Sequence, residues 1–319
     1  LGLVAAWLGF TLPSAVLLFG FALGVSTLGD VSQAGWVLGL KAAAVAVVGH
    51  AVLGMAKSLT PDARRATIAV GVLTVVLLVP GPLTMFGAMA LAGIAGFFVC
   101  RSPSTTENDE PRFRVRLRPA VGWLSLAVSV MLLAGLPIFA VFTGNATVGL
   151  IDTFYRAGSF VFGGGHVVLP LLQAETVQTG LVEPGAFLAG YGAAQAVPGP
   201  LFTFAAFLGA ATTGGPSGLL GASIALLAIF LPSALLVMGV LPFWERLRRA
   251  PRVQRVLTGV NSGVVGLLAA ALYDPVFTAG VTNAASLVVA ALAFVALTSW
   301  KTPAWAVVLG AAGAGALLL

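Results

Sequence analysis

Cysteine and histidine are almost absent from this chain of 319 residues, which contains one cysteine, Cys100, and two histidines, His50 and His166. A single thiol excludes a disulfide framework and a thiolate metal site within the chain, and two histidines exclude a histidine-rich metal cluster. The HExxH, G-x-S-x-G and Walker motifs are missing as well. We therefore expect a protein that is not an enzyme and that carries no metal and no cofactor.

Charge is the second scarcity, since only 8% of the residues are charged and 59% are hydrophobic. A soluble domain carries about 25% charged residues, and a membrane-spanning helix needs roughly 20 consecutive apolar residues. The uncharged runs of this chain have that length. The composition therefore predicts an all-α polytopic membrane protein with the lipid bilayer as its surroundings.

The basic residues are concentrated rather than spread. Ten of the sixteen lie in two short loops: Arg101, Arg112, Arg114, Arg116, Arg118, Arg246, Arg248, Arg249, Arg252 and Arg255. An excess of lysine and arginine between apolar spans marks the cytoplasmic side of a membrane. The net charge of +6 thus indicates topology and not a nucleic-acid partner, and 101–118 is predicted to be a basic cytoplasmic loop.

Nine apolar stretches are candidates for membrane spans, with two interrupted segments in addition. The spans are 2–25, 34–56, 66–80, 83–100, 119–142, 217–241, 256–273, 280–298 and 303–319. The interrupted segments are 154–173 and 186–212. The stretch 119–142 is interpreted as a transmembrane helix that links two larger units.

Residues 1–100 resemble residues 220–319 at a constant offset, because Leu-Pro-Ser-Ala at 12–15 recurs at 231–234. Equivalent loops differ in charge: the loop with Asp30 has no basic residue, whereas its mate holds the second basic cluster. Equivalent loops therefore face opposite sides, which predicts inverted-topology repeats. We interpret 1–100 as a truncated N-terminal repeat of four spans and 154–319 as the C-terminal repeat. The broken segments of the first copy would precede Leu1.

The first interruption is Gly163-Gly164-Gly165-His166, followed by Pro170. Broken helices at membrane depth are tolerated where they are buried in protein or line a polar cavity, and they point to a transporter's binding site. Glycine backbone N–H groups can form an anion-binding concavity, although the same glycines also suit close helix packing. His166 is either a functional ionisable group within the membrane or a hydrogen-bonded packing residue.

The second interruption contains Gln195, Pro198, Gly199, Pro200 and Thr203. Proline removes backbone donors and leaves carbonyl groups unpaired in the preceding turn. Gln195 and Thr203 offer neutral hydrogen-bonding groups that can replace part of the hydration shell of a polar solute. A kinked structural helix would produce the same pattern, so both interpretations remain open.

Few other charges lie near these interruptions. Asp152 and Arg156 are four residues apart and are predicted to pair on one helix face. Glu175 lies either at the membrane surface or in a cavity, where it would be a proton carrier together with His166. Lys41 lies well inside the span 34–56, where it either extends toward the surface or supplies positive charge to an anion pathway. His50, in the same span, is no stronger a candidate for a functional residue.

Both interruptions resemble the chromate ion transporter family. The resemblance rests on Ser159-Phe160-Val161-Phe162-Gly163-Gly164-Gly165, Val168-Leu169-Pro170-Leu171, Gln195 with Pro198-Gly199-Pro200, and Phe207-Leu208-Gly209. It extends over essentially the whole chain, because 1–100 looks like the later part of the family's N-terminal repeat. The glycine and Pro-Gly-Pro motifs of that repeat are absent here.

The resemblance implies a secondary transporter of the prokaryotic plasma membrane that exports chromate, and by analogy sulfate, driven by the membrane potential or a proton gradient. The implied partners are the oxyanion and the bilayer, with the choice between a monomer and a homodimer left open. The alternative hypothesis is a half-degenerate, transport-incompetent subunit or scaffold that needs a partner chain. The proposed substrate-binding residues are Gly163, Gly164, Gly165, His166, Gln195, Pro198, Gly199, Pro200, Thr203 and Lys41.

Overall fold

A computed structural model of the chain describes residues 2–27, 34–79, 81–100, 118–161, 168–197, 199–244, 247 and 250–319, and every regular element among them is helical. The predicted all-α fold is confirmed. The helices are α1 (Gly2–Thr27), α2 (Gly35–Leu59), α3 (Ala63–Leu78), α4 (Pro82–Val99), α5 (Pro119–Thr143), α6 (Ala146–Ser159), α7 (Val168–Leu172), α8 (Pro184–Ala196), α9 (Phe204–Ala210), α10 (Gly218–Val240), α11 (Pro251–Ala271), α12 (Ala284–Thr298) and α13 (Ala304–Leu318).

Helices cover each of the nine apolar stretches, but they differ in length. Among the described residues, five segments are long and apolar enough to cross a membrane: Ala5–Val25, Gly35–Leu59, Pro119–Thr143, Gly218–Phe243 and Pro251–Gly280. The helices α3, α4, α12 and α13 have only 16, 18, 15 and 15 residues. At 1.5 Å per residue they reach about 22 to 27 Å, which is less than the roughly 30 Å of a hydrocarbon core.

Local sequence explains several helix ends. Gly144 has φ 59° and ends α5 in the left-handed conformation that glycine permits. The Asn145 side chain then accepts hydrogen bonds from the first N–H groups of α6. Asn283 and Ser286 form a reciprocal capping box at the start of α12. Capped ends of this kind separate successive helices.

The two sequence repeats exchange helices. The helix α2 packs against α12 and α13, whereas α11 packs against α3 and α4. When the two repeats are aligned by sequence, α2 corresponds to α11, α3 to α12, and α4 to α13. Each second helix therefore contacts the third and fourth helices of the other copy. Reciprocal contacts of this kind characterise a two-fold arrangement, while the inverted orientation that the loop charges indicate stays a prediction.

Small residues permit this exchange in both copies. The backbone of Gly39 in α2 contacts Ala311 and Gly315 in α13, and the backbone of Gly259 in α11 contacts Ala92 and Gly96 in α4. Ala92 and Gly96 align with Ala311 and Gly315 in the repeat. Close approach through small residues is the usual way in which helices associate within a membrane. A similar contact is thus made twice, with Gly39 and Gly259 one position apart in the alignment.

An aromatic cluster joins the helices on either side of the second interruption. The Phe204 ring at the start of α9 lies 5.2 Å from Phe187 and 5.8 Å from Tyr191, both in α8, measured between ring centroids. The Phe207 ring is 5.7 Å from Phe21 of α1. Edge-to-face aromatic pairs contribute about 0.5 to 1.5 kcal/mol each beyond burial. The cluster holds α8, α9 and α1 together although the helix is broken between α8 and α9.

Candidate functional site

The helices are interrupted at the two places that the sequence predicted, and the assignment of a substrate site to these interruptions stays a prediction. The helix α6 ends at Ser159 and α7 begins at Val168. Of the predicted site residues, Gly163, Gly164, Gly165 and His166 lie between these helices, outside the described residues. Their assignment to an anion site stays a prediction.

The second interruption separates α8 from α9. Val197 and Pro200 are extended, and Gly199 has φ 155°, a value that side-chain-bearing residues rarely adopt. Pro198 lies outside the described residues. A 3₁₀ turn from Leu201 to Thr203 then leads into α9. The polypeptide therefore leaves the helical conformation for about one turn and resumes it.

Gly199 packs against α1 at the repeated Leu-Pro-Ser-Ala motif. A Cβ atom at this position would collide with the side chain of Ser14, which is buried. The Thr203 hydroxyl donates to the carbonyl oxygen of Pro200 at 2.8 Å. Thr203 thus stabilises the turn itself, and its hydroxyl proton is donated within the turn.

Gln195 lies one turn before the interruption, beside a cavity. Tyr191, which is fully buried, precedes Gln195 by four residues on the same face of α8. Gln195 Nε2 is buried and has no hydrogen-bond partner among the described residues. Since buried polar groups are nearly always hydrogen-bonded, this unpartnered amide is a candidate donor to a bound acceptor.

The cavity has a volume of about 320 Å³ and lies between α2, α8, α12 and α13. The described residues that line it are Val47, His50, Ala51, Gly54, Met55, Ser58, Gln195, Leu297 and Ala304, and none of these is a carboxylate. The lining is mostly apolar with a few polar groups, as is usual for small-molecule sites. The cavity follows the C-terminal half of α2, the half that carries Lys57.

Sequence reasoning did not select His50 or Ser58. Residues 50, 54 and 58 follow one another at intervals of four and therefore share one face of α2. That spacing was the available signal. Sequence reasoning also missed two further buried donors on α1. Trp7 Nε1 and Thr11 Oγ1 have no partner among the described residues. The Trp7 ring contacts Phe230 at 5.4 Å between centroids.

Lys41 is buried in the N-terminal half of α2. Its backbone packs against Gly280, at the end of the irregular segment that follows α11. It is absent from the lining of the Gln195 cavity, and along α2 it lies nine residues, or about 14 Å, before His50. The structure therefore does not bring Lys41 and Gln195 to one cavity. The alternative that Lys41 extends to the surface does not fit its burial.

The charged residues near the first interruption form one cluster. Arg156 Nη2 lies 2.9 Å from Asp152 Oδ2, as the spacing of four predicted, and 2.9 Å from Glu175 Oε2. Glu175 belongs to the wide turn Gln173–Val177 that continues α7. It is only 4% exposed and therefore packs inside the protein, while its depth in the membrane stays a prediction. The sequence did not reveal that α6 and α7 fold against each other.

No three residues among His, Cys, Asp and Glu come together as a metal site in the part of the chain that the structure describes. The fold and the site define a class of protein. It is a helical membrane protein with two interrupted helices, with a cavity beside one interruption and buried charges beside the other.

Comparison with known proteins gives the family. A family model described as "Chromate transporter" matches residues 1–97 and 148–316. The chain belongs to the chromate transporter family. No solved structure matches the chain significantly.

Curated relatives carry related names. A "Chromate transport protein" of Pseudomonas aeruginosa is 28% identical over 317 aligned residues, which cover 94% of this chain and 71% of the relative. A "Probable chromate transport protein" of Synechococcus elongatus is 30% identical over 145 residues, covering 43% of this chain and 36% of the relative. A third, the "Chromate transport protein" of Cupriavidus metallidurans, is 28% identical over 120 residues, or 37% of this chain and 29% of the relative.

Proposed function

We propose that this chain transports chromate out of the prokaryotic cell across the plasma membrane, with sulfate as a second tetrahedral dianion that the same site accepts. The observation that carries the proposal is the buried, unpartnered amide of Gln195 at a cavity next to a helix interruption. The family and the names of its members support the substrate.

The lining of the cavity suits an anion. Transferring a charged solute out of water is prohibitive unless hydrogen-bond donors replace the lost water. Gln195 Nε2 supplies such a donor, and the absence of carboxylates from the described lining avoids repulsion. His50 adds a second polar side chain to the lining. A cation would find no compensating charge among these residues.

The volume of the cavity suits a partly hydrated oxyanion. A water molecule has a share of about 30 Å³ in the liquid, so a volume of about 320 Å³ accommodates a small dianion with several waters. The basic residues Lys57, Arg64 and Arg65 lie at the end of α2 and the start of α3. Clustered charge of one sign raises the local concentration of an oppositely charged solute.

The direction of transport follows from the side on which the anion enters the cavity and from the membrane potential. Loops rich in lysine and arginine lie in the cytoplasm, so the cavity opens toward the interior of the cell. Moving a dianion out of a negative interior releases about 4.6 kcal/mol per 100 mV, twice the value for one charge. The proposal also includes the predicted anion-binding role of the residues at the two interruptions. These are Gly163, Gly164, Gly165, His166, Pro198, Gly199 and Pro200.

Inverted membrane vesicles test the proposal, because export from the cell becomes uptake into the vesicle. We expect uptake of radiolabelled chromate that unlabelled sulfate reduces and that a membrane potential, positive inside the vesicle, increases. Gln195→Leu should lose this uptake, whereas Gln178→Leu, which changes an exposed glutamine, should retain it. Uptake no greater than in vesicles without the protein would refute the proposed function.

A further inference from the structure

The cluster of Asp152, Arg156 and Glu175 is more than the helical ion pair that the sequence predicts. One nitrogen atom, Arg156 Nη2, lies 2.9 Å from an oxygen of each carboxylate. The two side-chain carboxylates are 7% and 5% exposed, and the Arg156 side chain is 31% exposed. Since both oxygens are bound to the same nitrogen, the two carboxylates are less than about 6 Å apart, a distance at which like charges interact strongly.

The charges in the cluster do not balance. Two carboxylates and one guanidinium have a net charge of −1, and arginine remains protonated in proteins. Asp152 Oδ1, Glu175 Oε1 and Arg156 Nε are buried and have no hydrogen-bond partner among the described residues. An uncompensated buried charge is costly, and each free carboxylate oxygen is an acceptor for a proton. One bound proton would bring the net charge to zero.

No other described charge compensates the deficit. The helices α5 and α10, which pack against α6, contain no ionisable residue, and neither does α7. The Tyr155 hydroxyl on α6 donates to the carbonyl oxygen of Ser129, and Tyr191 on α8 is fully buried against the Phe204 ring. Electrostatically, Glu175 interacts with Arg156 and Asp152.

The remaining charged residues on neighbouring elements lie at helix ends. Ala174, next to Glu175, belongs to a core cluster with residues of α3, α4 and α11. The charged residues on those helices and before α8 are Arg64, Arg65, Arg252, Arg255 and the exposed Glu183. They stand near the start of their helices or just before it, and none of them is among the charges that act on Glu175.

We propose that Asp152, Arg156 and Glu175 form a proton-binding site that couples proton movement to oxyanion transport. This proposal rests on the proposed transport function. One carboxylate of the pair takes up a proton in one stage of the transport cycle and becomes a carboxylic acid. It returns the proton in another stage and becomes a carboxylate again, while Arg156 keeps its charge throughout.

The position of the cluster provides the coupling. Arg156 belongs to α6, before the first interruption, and Glu175 follows α7, after it. The ion pair therefore ties together the two helices that flank 162–167. Protonation of Glu175 weakens that tie, because a charge-assisted hydrogen bond becomes a neutral one. Binding and release of a proton would thus change how firmly α6 and α7 are held to each other.

A purely structural clamp predicts different behaviour, so net transport and exchange must be measured separately. Exchange of labelled for unlabelled chromate at equal pH on both sides needs no net movement of protons. Accumulation of chromate driven by an imposed pH gradient does need it. A residue that carries the coupling proton is required for accumulation only, whereas a residue that only holds the fold is required for both.

The experiment uses the purified full chain in proteoliposomes with Glu175→Gln, which imitates the protonated side chain and leaves Asp152 paired with Arg156. We expect exchange at the wild-type level and a loss of gradient-driven accumulation by at least about tenfold, the change that 1.4 kcal/mol produces. The rate of exchange should also lose its dependence on pH. Glu183→Gln is the matched control and should retain both activities, because Glu183 is exposed.

Two results would overturn the proposal: accumulation that persists in Glu175→Gln, or a loss of accumulation and exchange to the same extent in correctly folded protein. If Glu175→Gln does not fold, Asp152→Asn neutralises the other carboxylate and is subject to the same criteria. A wild-type chain that neither exchanges nor accumulates chromate would instead refute the proposed function, so the two failures are distinguishable.

Discussion

Replacing Gly315 by alanine should weaken the packing of α13 on α2. An added Cβ would overlap the carbonyl oxygen of Gly35 and would lie 2.6 Å from Cα and 2.7 Å from N of Gly39. Non-bonded carbon atoms prefer about 3.5 to 4.0 Å. Because the obstructing atoms belong to a helix backbone, no side-chain rotation relieves the overlap. The two helices must separate by roughly 1 Å.

The expected change in the free energy of unfolding is the sum of two opposing effects. Overpacking of a well-packed site costs typically about 1 to 3 kcal/mol. Alanine is favoured over glycine within a helix by about 0.5 to 1 kcal/mol. Gly313 lies on the same helix, and a Cβ atom added there would meet no other atom within 4 Å, so Gly313→Ala has the second effect only. The difference in the free energy of unfolding between the two variants should thus be about 1 to 3 kcal/mol.

The measurement is the unfolding midpoint of the purified protein in mild detergent, followed by tryptophan fluorescence during titration with a denaturing detergent. Gly315→Ala should unfold earlier than Gly313→Ala. The reciprocal packing adds a second comparison, in which Gly96→Ala should lose similar stability relative to Gly87→Ala, since Gly87 has open space around it. Equal midpoints for Gly315→Ala and Gly313→Ala would show that the packing of α13 on α2 is not as close as the structure has it.

Three further substitutions test separate parts of the structure. Gly199→Ala should reduce chromate uptake by inverted vesicles, because the residue's φ of 155° disfavours a side chain and Ser14 occupies the space; uptake equal to wild type would contradict the role of this turn. Tyr155→Phe should lower the free energy of unfolding by about 1 kcal/mol, since the hydroxyl donates to a buried carbonyl oxygen of Ser129 at 3.0 Å; unchanged detergent stability would contradict it. Asn283→Ala should cost about 1 kcal/mol through loss of the capping box of α12, measured in the same titration, and an effect no larger than that of an exposed substitution would count against the cap.

The helices and their interruptions could be predicted from the sequence because both depend on local chemistry. Long apolar runs must be helical in a bilayer, where backbone groups have no water to bind. Proline and glycine in 197–200 end α8 for reasons that lie within the segment itself. The pair of Asp152 and Arg156 was likewise local, since a spacing of four places both side chains on one face.

Contacts between distant segments could not be predicted in this way. The burial of Glu175 depends on the packing of α7 against α6. The sequence of the residues between these two helices does not indicate how closely the helices approach. The cavity joins Gln195 to His50, which is 145 positions earlier in the chain, and no periodicity links two helices so far apart. Lys41 and Gln195 are both polar residues in apolar spans, yet Lys41 is absent from the lining of the cavity that includes Gln195.

Binding of an oxyanion beside Gln195 is the central claim, and equilibrium binding of radiolabelled chromate to the purified protein tests it most directly. Wild-type protein should bind chromate saturably, and sulfate should displace it. Gln195→Leu should bind at least about tenfold more weakly, as expected when a buried donor to a charged group is removed at about 1.5 to 3 kcal/mol, with the unfolding midpoint of wild type. Undiminished binding by Gln195→Leu, or wild-type binding that sulfate does not displace, would contradict the claim.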